Sequence, residues 1–341
     1  MNLASLLFLL GFSSIAAARD RQPYIVDASS VAATVCWRER RKDACLPLAG
    51  LSPGAEFEYS VSSRQYAARA LPAAGAPLRF AVFGDSGMGT LAQKKVGAVL
   101  EKAATDLVLF VGDVVYPTGV DQDYDAKYFK IYGKTLSRVP VFPAPGNHDY
   151  GNAKTSAAIG EKRFRDGYAR VFRRPKYYSF DAGPAHFVSL DDNGAVPIAA
   201  AEPIGLDSAQ RAWLDKDLGA SKARWKFVYM HVPLFSTYFN HGDNAGLRAS
   251  LQGLFEKHHV DVVFAGHDHL YQRSKRMNKV LYVTAGTGGG NIMPGPEDHP
   301  WLEKELISFG LVLVKLSSKN MALDFVDDNG VVRDSYRIDK P

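Results

Sequence analysis

Leu107-Val108-Leu109-Phe110-Val111-Gly112-Asp113-Val114-Val115-Tyr116 is an apolar run broken by Gly-Asp. A short apolar stretch that ends in such a turn reads as a buried strand, so Asp113 stands at the strand's carboxyl end. Working outward, four further blocks occur in chain order, Gly84-Asp85-Ser86-Gly87, Gly146-Asn147-His148-Asp149, Val228-Tyr229-Met230-His231 and Gly266-His267-Asp268-His269, and most follow an apolar run, the last after Val262-Val263-Phe264-Ala265. In α/β proteins ligands bind in the crevice outside the carboxyl ends of the strands, so loops far apart in sequence can converge there. A single Gly-Asp is no more than a capped turn. Five such blocks in order hold enough oxygen and imidazole ligands for two metal ions. A mixed Asp, Asn, His and Tyr set suits hard or borderline cations and not a thiolate zinc site.

Around these blocks strands and helices alternate. Strand-like runs begin near Leu78, Leu107, Val139, Tyr177, Ala185, Lys226, Asp261, Val280 and Gly310, and a last pair flanks the hairpin signal Asp327-Asp328-Asn329-Gly330. Helical spacing links Val96, Val99, Leu100 and Ala103, then Tyr128, Phe129, Ile131 and Tyr132, then Leu247, Leu251, Leu254 and Phe255. Asp207 is the expected N-cap of a helix carrying Trp213, Leu214 and Leu218. The fold class is α/β, with two mixed β-sheets packed face to face and flanked by helices.

Residues 23–75 differ. Val31, Ala33, Val35 and Trp37 alternate with more polar neighbours, as do Ala55, Phe57, Tyr59 and Val61, which predicts two half-buried strands. Leu51-Ser52-Pro53-Gly54-Ala55-Glu56-Phe57 resembles the corner of a fibronectin type III-like sandwich, with Phe57 in place of the usual Tyr and its hydroxyl missing. The segment is half the ~100 residues of a full sandwich, so a trimmed sheet is expected to lean on the main unit. Residues 70–77 read as a linker. The organisation is therefore a signal peptide over 1–18, a small β domain over 19–75 and a catalytic domain over 76–341.

The chain has 341 residues, 46% hydrophobic and 23% charged, which argues against disorder. Residues 2–18 carry no charged side chain, run through Leu6-Leu7-Phe8-Leu9-Leu10 and end in Ala16-Ala17-Ala18, the pattern of a secretory leader, with an uncleaved anchor as the alternative. Secretion or a periplasmic location follows, with no membrane attachment after cleavage. Cys36 and Cys45, the only cysteines, suit a disulfide in an oxidising compartment; two inert thiols are the alternative. The net charge of +5 favours anionic substrates. No nucleic-acid partner is expected, since Arg38-Glu39-Arg40-Arg41-Lys42-Asp43 reads as a solvated hairpin tip.

Asp113 is the natural bridge between two cations, because a carboxylate has two oxygens and its block lies between others that supply further ligands. His267 and His269 lie two apart and can reach the same side of an extended segment. His186, His258 and His259 read as structural.

The blocks resemble those of the calcineurin-like metallophosphoesterases, and within them the purple acid phosphatases, including the small tartrate-resistant type. Tyr116 in Gly-Asp-x-x-Tyr, the following Pro117-Thr118-Gly119-Val120, and Gly266-His267-Asp268-His269-Leu270-Tyr271-Gln272-Arg273 carry the likeness. The resemblance covers residues 78–341 strongly and 23–75 weakly. It implies one metal held by Asp85, Asp113, Tyr116 and His269, and a second held by Asp113, Asn147, His231 and His267. It places His148 and His241 facing the substrate and leaving group. It names Fe(III) for the Tyr116 site and Fe(II), Zn(II) or Mn(II) for the other. A phenolate ligand suits a trivalent ion, because a phenol with a pKa near 10 yields its proton poorly to a divalent one; a structural Tyr116 beside a divalent pair is the alternative. Asn240 stands where many plant-type members have a second histidine, and Asp149 where they tend to have Glu.

The expected activity is that of an exported acid phosphatase acting on small phosphate monoesters, with metal-bound hydroxide as the nucleophile. A phosphodiesterase or nucleotidase on the same fold is the nearer rival. A non-catalytic binding protein is the rival from another class.

Overall fold

The computed structural model describes residues 20–151, 161–195, 204–205, 207–238, 244–292 and 299–341. The leader expected over 1–18 and the candidates Asn240 and His241 lie outside the described residues.

Two mixed sheets pack face to face. One runs in the order Val332–Asp339, Asn320–Asp327, Gly310–Leu316, Leu78–Phe83, Leu107–Val111, Val141–Ala144. The other runs Leu302–Leu306, Tyr271–Ser274, Leu281–Ala285, Val262–Ala265, Trp225–Tyr229, Ala185–Ser189, Tyr178–Ala182. Strands 78–83, 107–111 and 141–144 are parallel, as are 185–189, 225–229, 262–265 and 281–285. Strands covered on both faces have no reason to alternate, which is why 107–111 reads as an unbroken apolar run and is buried throughout. Between the sheets Phe80 meets the rings of Phe187 and Phe227 edge-on, each at 5.3 Å. Burying a side chain of this size contributes about 1.5–3 kcal/mol. Helices Leu91–Lys102 and Lys130–Leu136 cover the outer face of the first sheet, and Ala209–Ala220 that of the second.

The expected strands are present within two residues of their predicted starts. Tyr271–Ser274 and Leu302–Leu306 were not legible, because neither has a clean apolar period. The cap of the 209–220 helix is Ser208, whose hydroxyl accepts the Arg211 N–H at 3.2 Å, and not Asp207.

Residues 21–69 form five strands where alternation predicted two. Arg21–Ala28, Ala32–Glu39 and Lys42–Ala49 make a three-stranded antiparallel sheet, and Glu56–Val61 pairs with Arg64–Arg69. Arg21–Ala28 escaped because it is buried on both sides, Tyr24 lying edge-on to Phe129 at 4.7 Å while Ile25 packs inside the small sheets. Cys36 and Cys45 face each other across the hairpin and form a disulfide. The turn at Arg40 and Arg41 is exposed, but Arg38 is buried and paired to Asp43, so the segment is not wholly a solvated tip. The hydroxyl absent at Phe57 occurs two residues on, where Tyr59 donates to the Ser137 carbonyl at 2.6 Å. Residues 70–77 lack regular structure, yet Leu71 is buried in the core between the sheets.

Candidate metal centre

The parallel strands of both sheets point their carboxyl ends to one side, and the five blocks follow directly after them. Backbone bonds lace the loops together: Asp85 N–H to Gly112 O (3.1 Å), Ser86 N–H to Asp113 O (3.2 Å) and Gly266 N–H to His231 O (2.8 Å). The contact is so close that a Cβ at Gly112, where φ is +84°, would lie 2.3 Å from His231 Nδ1. One at Gly146 would lie 2.0 Å from the Asp113 nitrogen. Asp85, Asp113 and His267 themselves adopt left-handed backbone, with φ of 55°, 48° and 67°. Such conformations are uncommon outside glycine and gather at functional sites.

Two groups of side chains result. The Tyr116 hydroxyl donates to Asp85 Oδ1 at 3.0 Å and lies 3.0 Å from His269 Nε2, which is itself 3.4 Å from Asp85 Oδ1. His231 Nε2 lies 3.0 Å from Asn147 Oδ1, 3.2 Å from His267 Nδ1 and 3.5 Å from Asp113 Oδ1. Asp85, Asp113 and His231 offer ligand atoms all within 4.8 Å of one another, which joins the two groups. All seven of the expected ligands thus converge, and all but the half-buried His267 are buried.

The donor set fits a pair of cations. Val111 O accepts from His231 Nδ1 at 2.9 Å and Asn291 O from His269 Nδ1 at 2.5 Å. A carbonyl only accepts, so both Nδ1 atoms carry a proton and both Nε2 atoms face the cluster, the orientation of metal-binding imidazoles. Burial opposes protonation of His231, yet the Asp113, Asp85 and Asp192 carboxylates outweigh it and lift the imidazole to about 9. Burial, reinforced by Asp113 and Asp85, holds the Tyr116 phenol well above its ordinary value. Both shifts report a negative, water-poor cluster, and buried charge of this kind calls for a compensating ion.

His148 stands beside the first group, its ring 4.4 Å from that of Tyr116. Its Nδ1 is 2.9 Å from Pro117 O, so Pro117 orients it and not the adjacent Asp149. Asp149 is buried elsewhere, accepting from Gly146 N–H (2.9 Å), Val114 N–H (3.3 Å) and the Tyr124 hydroxyl (3.1 Å). The structural readings of two histidines match their surroundings: His186 lies between Asp181 and Asp217, and His258 on Asp215.

Sequence reasoning missed Asp192, a fully buried carboxylate that accepts the N–H groups of His231 (3.1 Å) and Val232 (2.7 Å). Burial raises it to about 7. It also missed the glycine-rich run Gly286-Thr287-Gly288-Gly289-Gly290, where a Cβ at Gly290 would lie 2.8 Å from His269 Nδ1. That run is a local signal of close backbone approach that could have been read.

Residues 78–271 match the calcineurin-like phosphoesterase family. The chain is 30% identical over 257 residues to Purple acid phosphatase 7 of Arabidopsis thaliana, across 67% of this chain and 75% of that one. It is 25% identical over 290 residues to the Fe(3+)-Zn(2+) purple acid phosphatase 12 of the same plant, across 72% of this chain and 58% of that one. It spans about half the length of other plant relatives, 50% of Purple acid phosphatase 21 for instance. A purple acid phosphatase from yellow lupin (Lupinus luteus) seeds superposes with a TM-score of 0.77 at 19% identity, covering 93% of this chain and 74% of that one, a likeness of fold.

Proposed function

Because the chain belongs to the calcineurin-like phosphoesterase family, among the purple acid phosphatases, we propose that it is an exported acid phosphatase that hydrolyses small phosphate monoesters at a dinuclear metal centre. The observation that carries this reading is the Tyr116 hydroxyl set between Asp85 and His269, 3.0 Å from each, beside the Asn147, His231 and His267 group. Asp85, Tyr116 and His269 would hold one ion, Asn147, His231 and His267 the other, and Asp113 would bridge them. We assign Fe(III) to the Tyr116 side, since only a strongly charged ion offsets the burial and carboxylates that keep this phenol protonated. The second position would take Fe(II), Zn(II) or Mn(II); the Fe(3+)-Zn(2+) relative supports iron with zinc.

When bound, such a pair of cations acidifies water and neutralises phosphoryl oxygens. The protein's own contribution is orientation. The laced loops fix the ligands before substrate arrives, so little reorganisation accompanies reaction. Pro117 O accepts from His148 Nδ1 and so aims Nε2 outward, where the imidazolium form donates its second proton to a phosphoryl or leaving-group oxygen. His241 is assigned a leaving-group role on resemblance alone. Export is supported by the apolar leader and by the Cys36–Cys45 disulfide, since disulfides persist in oxidising compartments.

The test compares hydrolysis of an aryl phosphate monoester with that of its bis-aryl diester from acidic to neutral pH, with Asp113→Asn as blank. Monoester preference with an acidic optimum is expected. Dominant diester cleavage near neutral pH would move the protein to the phosphodiesterase branch and remove Tyr116 from its assigned role.

A further inference from the structure

Asp121 and Asp125 stand one turn apart on the helical stretch that runs from Asp121 to Phe129. Like charges at this spacing repel. They are met by two arginines of the small N-terminal sheet whose side chains are only 1% and 3% exposed, Arg21 and Arg38. Arg21 Nε bonds Asp125 and its Nη2 bonds Asp121 at 3.1 Å. Arg38 is forked onto Asp43 at 2.6 and 2.9 Å and reaches Asp121 at 3.5 Å and Asp125 at 4.0 Å. Arg170 adds a contact to Asp121 at 3.3 Å. The rung Arg38–Asp43 lies two residues along the hairpin from the disulfide rung Cys36–Cys45, so both rungs share one face.

Three other residues of the same helical stretch, Asp123, Tyr124 and Lys127, grip the metal loops. Asp123 accepts from the Thr118 hydroxyl at 3.0 Å and from Lys127 Nζ at 2.8 Å, and Lys127 also donates to the Tyr116 carbonyl. Tyr124 donates to one oxygen of Asp149, whose other oxygen gathers the Gly146 and Val114 N–H groups. Residues 125–129 are wound as a π-helix, a form that recurs at functional sites. The helical stretch is thus held by the N-terminal sheet through Asp121 and Asp125 and holds the Tyr116 and Asn147 loops through Asp123, Tyr124 and Lys127.

We propose that the three-stranded N-terminal sheet is a clamp on the metal centre, with Arg21 and Arg38 as positioning residues that set Tyr116 through residues 121–129, and with the disulfide holding the Arg38 rung in place. This rests on Tyr116 being a metal ligand.

The test uses the full iron-loaded chain, comparing Arg38→Gln and the double variant Cys36→Ala/Cys45→Ala with wild type. Three quantities are read: hydrogen exchange of residues 114–129, the position of the visible absorption band, and kcat and KM for an aryl phosphate. The clamp predicts several-fold faster exchange at 114–129 with 262–285 unchanged, a displaced band, and a lower kcat at little-changed KM. Arg38→Lys should recover part of each. Folded variants with wild-type exchange and band would overturn it. Should Arg38→Gln fail to fold, the cysteine variant, which removes no charge, decides. A colourless wild type would defeat the Tyr116 assignment, while the exchange rates would still judge the clamp.

Discussion

Asp113 sits at φ 48°, a conformation that costs an ordinary residue about 1–2 kcal/mol but that Asn and Asp tolerate best. Asp113→Asn therefore keeps the backbone while removing one buried charge. We expect it to fold as stably as the metal-free wild type, to bind fewer than two ions and to lose activity by about 100-fold or more, in the range of other lost transition-state contacts. Two ions per chain with full turnover, by metal analysis and kinetics, would show that Asp113 is no bridge. Gly112→Ala makes the opposite change, keeping every ligand while placing a methyl group 2.3 Å from His231 Nδ1. Left-handed backbone and overpacking together predict a loss of about 2–5 kcal/mol in denaturant unfolding, with weakened metal binding. A variant of wild-type stability and metal content would mean that the loops yield freely. Tyr116→Phe removes only an oxygen. If Tyr116 binds iron, the violet to pink colour should vanish while the iron remains, and a colour that persists would free Tyr116 from that role.

At the scale of elements, His186 ties three together: its own strand 185–189, the neighbouring strand through Asp181 at 2.7 Å and the helix 209–220 through Asp217 at 2.8 Å. Burial works against its protonation, but the two carboxylates prevail and raise it to about 9, while hydrogen bonds from His186 and Ser179 hold Asp217 below the usual carboxylate range against the opposing effect of burial. A raised imidazole contributes stability that is complete below its unfolded value near 6.5 and is lost as pH climbs through about 9. The lowered Asp217 contributes above about 3.9 and fades as pH falls. The melting temperature should accordingly decline from pH 6.5 to 9, and His186→Gln should flatten that limb. A variant with the same slope would assign the decline elsewhere. This triad also marks how far elements were legible. Strand 185–189 and the 209–220 helix follow from local apolar pattern, but the cap moved from Asp207 to Ser208 because caps depend on geometry within one residue. The partners of His186 come from two elements whose pairing no local pattern states.

Across the whole molecule the same division holds. The five blocks were readable because each is one strand end, a local event in which an apolar run stops at a Gly-Asp, Gly-Asn or Gly-His break or, in the fourth block, at His231 itself. Asp192, Asn291 and the Arg21 and Arg38 contacts were not, since each depends on segments brought together only by the folded sandwich. That sandwich also sets what a bound metal pair does to stability. Asp85, Asp113, Tyr116 and Asn147 follow strands of the six-stranded sheet, whereas His231, His267 and His269 follow strands of the seven-stranded one. Cations held by both groups cross-link the two sheets at their carboxyl ends and bind the folded chain alone. Linkage then predicts stabilisation of RT ln(1 + [L]/Kd), about 4 kcal/mol at a thousandfold excess over Kd. At roughly 2–4 °C per kcal/mol for a domain of this order, chelation should lower the melting temperature by on the order of 10 °C. The loss should be local in origin. Hydrogen exchange should quicken first at 84–87, 112–116, 146–149 and 266–269, and the strand 107–111, buried throughout, should respond only as global stability falls. An apoprotein that melts with the loaded form, though both ions demonstrably bind, would mean that the unfolded chain holds them as tightly as the folded one and that the sheets gain nothing from the cross-link.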